Sequence, residues 1–113
     1  MDSSQEVLII DLKTDPEFQK LLAGEPQTCG MRSGKVFLAP GKECGLHSTK
    51  ANEELLVFLS GTGELIIKEK DRYQIGKGKA SYIPPHTDHN VQNTGSEPLV
   101  YIYCVAPVSK NIG

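Results

Sequence analysis

The chain has 113 residues, a net charge of −2 and no long run of like charge. That length supports one domain with a single core, and the near-neutral balance excludes a general nucleic-acid or anionic-membrane binder. Eleven glycines and seven prolines punctuate short runs rich in Val, Ile, Leu and Tyr, the composition of an all-β sandwich or barrel with many turns.

Residues 7–12 (Val-Leu-Ile-Ile-Asp-Leu) are apolar on both alternating faces and are expected to form a buried strand. Asp15 followed by Pro16 predicts the start of a short helix running to Leu22, with Gly24 ending it and Phe18, Leu21 and Leu22 as its apolar stripe. Residues 1–32 thus make an arm that precedes the barrel proper, which spans 33–108; residues 109–113 form a C-terminal tail. Within the barrel, strand patterns cover 35–39, 55–59, 64–69, 72–75, 80–83, 90–94 and 99–105. Gly61-Thr62-Gly63 and Gly76-Lys77-Gly78 mark tight turns, and Lys70-Asp71 a hairpin tip.

The longest apolar stretches run to about six residues, far below the ~20 that span a membrane. The first six residues lack the basic start and apolar centre of a secretory signal, so the expected location is cytoplasmic. Cys29, Cys44 and Cys104 are odd in number and have no CxxC spacing. They read as free thiols serving as small buried hydrophobes, not as a disulfide framework.

Chemistry concentrates in two frames. The first runs from Pro40-Gly41 through His47-Ser48-Thr49 to Glu53-Glu54 and Gly61. The second runs from Gly78 through Pro84-Pro85-His86 to His89 and Asn93. Imidazole and carboxylate together bind divalent transition metals. On a strand, residues two apart share a face, so His89, Val91 and Asn93 point one way and Asn90 and Gln92 the other. The same parity does not choose between Glu53 and Glu54, because the faces that follow them, Leu55/Val57/Leu59 and Leu56/Phe58/Ser60, are both largely apolar.

The two frames resemble the motifs of the cupin superfamily over roughly residues 33–105. Gly41, His47, Glu54 and Gly61 fall on the first motif, and Gly78, Pro84, His89 and Asn93 on the second. The resemblance implies a small antiparallel jelly-roll β-barrel holding one divalent metal (Zn, Ni, Fe or Mn) through His47, Glu54 and His89. It also selects Glu54 over Glu53, by its spacing to Gly61. Two positions depart from the pattern: Thr49 stands where the family carries a second histidine, and His86 where it carries a glycine. A neutral hydroxyl is a poor ligand for such a cation, so His86 either swings inward as a replacement ligand or stays at the rim. Asn93 is a candidate to fix the tautomer of a ligand imidazole.

The expected function is a metal-binding barrel that acts on, or binds, a small polar metabolite. If it is an enzyme, the family suggests a metal-dependent isomerase or dioxygenase. The alternative is a non-enzymatic sugar or metabolite sensor with a degenerate site. The apolar 7–12 segment, hazardous on an exposed edge, further predicts a homodimer.

Overall fold

The computed structural model describes residues 5–109. Nine strands form the fold: β1 (Gln19–Ala23), β2 (Arg32–Leu38), β3 (His47–Ser48), β4 (Asn52–Ser60), β5 (Thr62–Ile67), β6 (Asp71–Gly76), β7 (Ala80–Ile83), β8 (Asp88–Gln92) and β9 (Leu99–Pro107). They pair antiparallel in two sheets, a five-stranded one in the order β1-β2-β9-β4-β7 and a four-stranded one in the order β3-β8-β5-β6. Strands from both halves of the chain alternate across the two sheets, which is the jelly-roll architecture. Among the described residues there is no helix, and so none long and apolar enough to cross a membrane.

The core lies between the sheets. Leu56, Phe58, Leu99 and Tyr101 from the larger sheet meet Leu65, Ile75 and Val91 from the smaller. Phe58 and Tyr101 are cross-strand partners whose rings sit 5.3 Å apart and tilted, a contact that adds to their area burial. Where the chain leaves β4, Gly61 has φ +86°, and a Cβ there would come within 2.3 Å of the Pro98 carbonyl oxygen. Only glycine fits that corner. The β5–β6 hairpin turns through Lys68 and Glu69, both at positive φ (55° and 56°), with Lys70 N bonded to Ile67 O at 3.0 Å. These are the dihedrals of a type I′ turn, which follows the strand twist but is occupied here by two residues that resist it.

The N-terminal segment differs from expectation. No helix forms over residues 15–22; instead Gln19–Ala23 is β1, laddered onto β2. The capping signals at Asp15-Pro16 are local, whereas β2 has an open backbone edge on the side away from β9, and pairing that edge outweighs a marginal two-turn helix. Residues 7–12 are extended but form no ladder, and Val7 and Ile9 are exposed. At the other end β9 extends to Pro107; of the expected tail at 109–113, all but Ser109 lies outside the described residues.

Candidate metal centre

The site is assembled from three strands and the loop before β3. Residues 41–44 run beside β8, held by Cys44 N to Val91 O (2.9 Å), Asn93 N to Lys42 O (2.9 Å) and Gly41 N to Asn93 O (3.2 Å). Gly45, at φ +111°, then turns the chain into β3, with its N–H donated to Asn90 Oδ1 at 2.8 Å. His47 thereby becomes the direct cross-strand partner of His89, and the two rings meet edge to face with centroids 4.1 Å apart. Glu54 arrives from β4 in the opposite sheet and is buried, while Glu53 points outward and accepts the Tyr82 hydroxyl at 2.8 Å. The register that strand parity left open is thus resolved by sheet packing.

Donor atoms of His47, Glu54 and His89 all lie within 4.8 Å of one another, a group able to hold a metal ion. Each imidazole has its Nδ1 committed to a backbone carbonyl: His47 to Gly45 O at 2.8 Å and His89 to Thr87 O at 3.1 Å. A carbonyl only accepts, so both Nδ1 atoms donate, and a ring that carries only that proton has its Nε2 lone pair free for a metal. His89 Nε2 is buried without a hydrogen-bond partner and stands 3.3 Å from Glu54 Oε1. A lone pair and a carboxylate at that separation repel unless a cation or a proton lies between them. Without a metal the proton takes that place. Burial lowers the pKa of His89, but the adjoining Glu54 carboxylate, the Thr87 carbonyl and the charge of Asp88 together raise it above its ordinary value. The residues present therefore fit a divalent cation.

The other candidates fall into place around this group. Thr49 is buried and its hydroxyl is fully used, donating to Pro84 O at 2.7 Å and accepting from Thr87 N at 3.0 Å. It ties the β3–β4 connection to the turn whose Thr87 carbonyl orients His89. His86 is exposed, takes φ +56° and stands outside both the donor group and the cavity lining. Its strained backbone occupies the position where glycine is expected, bonded through its N–H to Lys50 O at 2.8 Å. Asn93, expected beside an imidazole, instead donates to Leu38 O and Glu97 O and accepts from Gly95 N, clamping the β8–β9 loop. None of the three cysteines is a buried hydrophobe, since Cys29 and Cys44 are exposed and Cys104 is half-buried; all three are free.

The metal group sits in a cavity of about 480 Å³ between the sheets. Val36, Leu38, Leu56, Val91 and Val105 form apolar walls, and Cys44, Tyr101, Tyr103 and Arg32 add polar groups. Burial, then contact with Cys44 and the charge of Glu54, holds the Tyr101 phenol far above its usual range. Burial and Glu54 likewise raise that of Tyr103, against the opposing pull of Arg32. Both phenols are therefore hydrogen-bond donors at neutral pH. Arg32 precedes both sequence frames, and only its parity with Val36 and Leu38 on β2 marks it as inward-facing. Thr87 likewise escapes a motif reading, because it acts through its backbone.

Residues 34–105 match the model of the cupin domain family. The chain belongs to the cupin family. An uncharacterised protein of Methanocaldococcus jannaschii is 34% identical to this cupin over 73 residues, which are 65% of this chain but only 58% of that protein. Among solved structures, a predicted oxalate decarboxylase from Thermotoga maritima superposes with TM-score 0.75 at 23% identity, covering 80% of this chain and 79% of the other. An RmlC-like cupin from M. jannaschii with a double-stranded β-helix fold gives TM-score 0.75 at 19% identity, covering 89% and 91%. Identities this low establish the shared fold and nothing about reaction or ligand.

Proposed function

We propose that this cupin binds one divalent transition metal through His47, Glu54 and His89, and uses it to bind or convert a small oxyanion-bearing metabolite. The observation that carries the reading is the buried, unpartnered Nε2 of His89 facing the Glu54 carboxylate. Three protein donors leave coordination positions for an exchangeable ligand, the feature that separates reactive from structural metal sites. When bound, Zn, Ni, Fe or Mn would supply Lewis-acid or oxygen chemistry, which suits an isomerase or a dioxygenase.

The protein's own groups support the substrate class. Arg32 is the one guanidinium lining the cavity and makes no ion pair among the described residues. Its methylenes pack by Gly24, where a Cβ would lie 3.2 Å from Arg32 Cγ. A planar fork at the mouth and phenolic donors deeper inside suit a carboxylate group, and the aliphatic walls suit a short carbon body.

Elemental analysis of untagged protein, beside a His47→Ala/His89→Ala variant, tests the reading. Near-stoichiometric metal lost in the variant supports it and narrows the reaction class. Absence of metal from both after loading and dialysis would overturn it. Ligand stabilisation that persists unchanged in chelator would then favour a metal-free binding module.

A further inference from the structure

A second recess lies where the two sheets fail to close on one another. β6 ends the four-stranded sheet and β7 the five-stranded one, and no ladder joins them. Between these edges is a cavity of about 600 Å³, larger than the one at the metal centre and of a size usual for small-molecule sites. The two cavities share no lining residue. They lie back to back, since Ile67, in the wall of the second, is the cross-strand partner of His89 in the first.

Strand alternation builds the recess. Leu65 and Ile67 of β5 lie two apart on one face, as do Tyr73 and Ile75 of β6, and all four line it. Leu65 and Ile75 are buried and supply an apolar floor. Tyr73 is 54% exposed, and Tyr82 from the opposite edge is 61% exposed. One aromatic side chain from each sheet therefore borders the cavity with more than half its surface in water. The Tyr82 hydroxyl is spent on Glu53 at 2.8 Å, which leaves the ring itself for apolar contact.

The charge of the lining has a single sign. Lys68, just after β5, and Lys79, just before β7, both line the cavity, and no Asp or Glu does. Neither lysine makes an ion pair among the described residues. Lysines at open sheet edges also discourage edge-to-edge pairing, but that role requires neither a recess nor aromatic rings beside them. Two ammonium groups next to an apolar floor favour an anion with a hydrophobic body, and Ser81 adds a hydroxyl to the same wall.

We propose that this recess is a second ligand site, which takes a small amphipathic anion. Its apolar or aromatic body packs against Leu65, Ile75 and the two tyrosine rings, and its head is held by the ammonium groups of Lys68 and Lys79. An ammonium is a point charge without the planar fork of a guanidinium, so the head is either a carboxylate or a phosphate. The site needs no metal and is independent of the His47, Glu54 and His89 group.

NMR titration of the chelator-treated chain with 4-phenylbutyrate and with phenyl phosphate tests the proposal, with uncharged 4-phenylbutanol as the reference. At least one anion is expected to give saturable shifts at the Ile67, Ser81 and Thr87 amides and at the Tyr73 and Tyr82 rings. It is expected to bind about 5-fold tighter than the alcohol, a margin in keeping with exposed ammonium groups. Tighter binding by either anion supports the site and names its head. Lys68→Asn/Lys79→Gln is expected to abolish the margin and leave the fold intact, because both side chains are exposed and Asn tolerates the φ of +55° at position 68. Arg32→Gln, in the metal cavity, is expected to leave the margin unaltered. Absence of saturable shifts at these residues at millimolar concentration overturns the proposal, as does an anion preference that survives the double variant. Shifts centred on Arg32 and Tyr101 would assign the anion to the metal cavity and overturn it equally. The titration is metal-free, so its failure is distinct from a failure of the metal site.

Discussion

His89 Nε2 and Glu54 Oε1 stand 3.3 Å apart in a buried site, and the imidazole's other nitrogen already holds its proton against the Thr87 carbonyl. The pair is thus poised for whichever cation arrives. Replacing Glu54 by Gln changes the sign of this relationship, because the amide can donate an N–H to the Nε2 lone pair. Above the pH at which His89 loses its second proton, metal-free Glu54→Gln protein is expected to be as stable as wild type or up to about 1 kcal/mol more so. Its metal-induced rise in melting temperature is expected to shrink sharply. Thermal melts of chelated and reloaded protein check both halves, and a metal-induced shift equal to that of wild type would count against Glu54 as a ligand.

The same pair fixes a pH dependence. The folded-state pKa of His89 lies above its ordinary 6.5, so the protonated pair stabilises the metal-free fold fully below about pH 6.5 and progressively less as pH rises through the raised value. Metal-free protein is therefore expected to lose stability as pH rises above about 6.5, while metal affinity rises in the same direction because metal and proton compete for Nε2. Urea midpoints across the range, with and without metal, should move in opposite directions. A His89→Gln variant should flatten the metal-free curve.

Thr49 makes a separate prediction. Its hydroxyl bridges Pro84 O and Thr87 N, so Thr49→Val strands a buried acceptor and a buried donor and is expected to cost about 1–3 kcal/mol. Because Thr87 carries the carbonyl that orients His89, metal affinity should also fall by about 10-fold or more. Thr49→Ser keeps both bonds and should retain most of each property. Denaturant titration and metal competition against a chromophoric chelator read the two effects separately.

Thr49 also marks how far the sequence could be read. Most barrel strands were legible from residue 33 onward because glycine-rich turns bracket runs of β-branched and aromatic residues, and each run overlaps a strand. The runs 35–39, 64–69 and 90–94 overrun theirs by one or two residues, the two-residue β3 went unseen, and the hairpin tip expected at Lys70-Asp71 lies at Lys68-Glu69. His47, Glu54 and His89 stood out because their frames are long. The role of Thr49 was hidden, since a hydroxyl spent on a loop across 35 residues of sequence leaves no local pattern. Glu53 and Glu54 were indistinguishable by alternation because β4 is apolar on both sides, a property explained by the outer sheet face and not by the core. The mistaken helix at 15–22 has the complementary cause: its caps were visible, whereas the open edge of β2 that claims Gln19–Ala23 was not.

His86 yields the last prediction. It holds φ +56° at an exposed turn position between Pro85 and the buried Thr87, a conformation that costs an L side chain about 1–2 kcal/mol and glycine almost nothing. Glycine gives back part of that gain through the greater freedom of its unfolded chain, so His86→Gly is expected to stabilise the protein by up to about 1 kcal/mol. The same variant tests the ligand set, because His86 stands outside the donor group and metal stoichiometry should be unchanged. Paired measurements of unfolding midpoint and metal content check both claims. A variant that gains stability but loses metal would return His86 to the coordination sphere. One that loses stability while keeping its metal would mean that the imidazole makes a contact strong enough to outweigh its backbone strain.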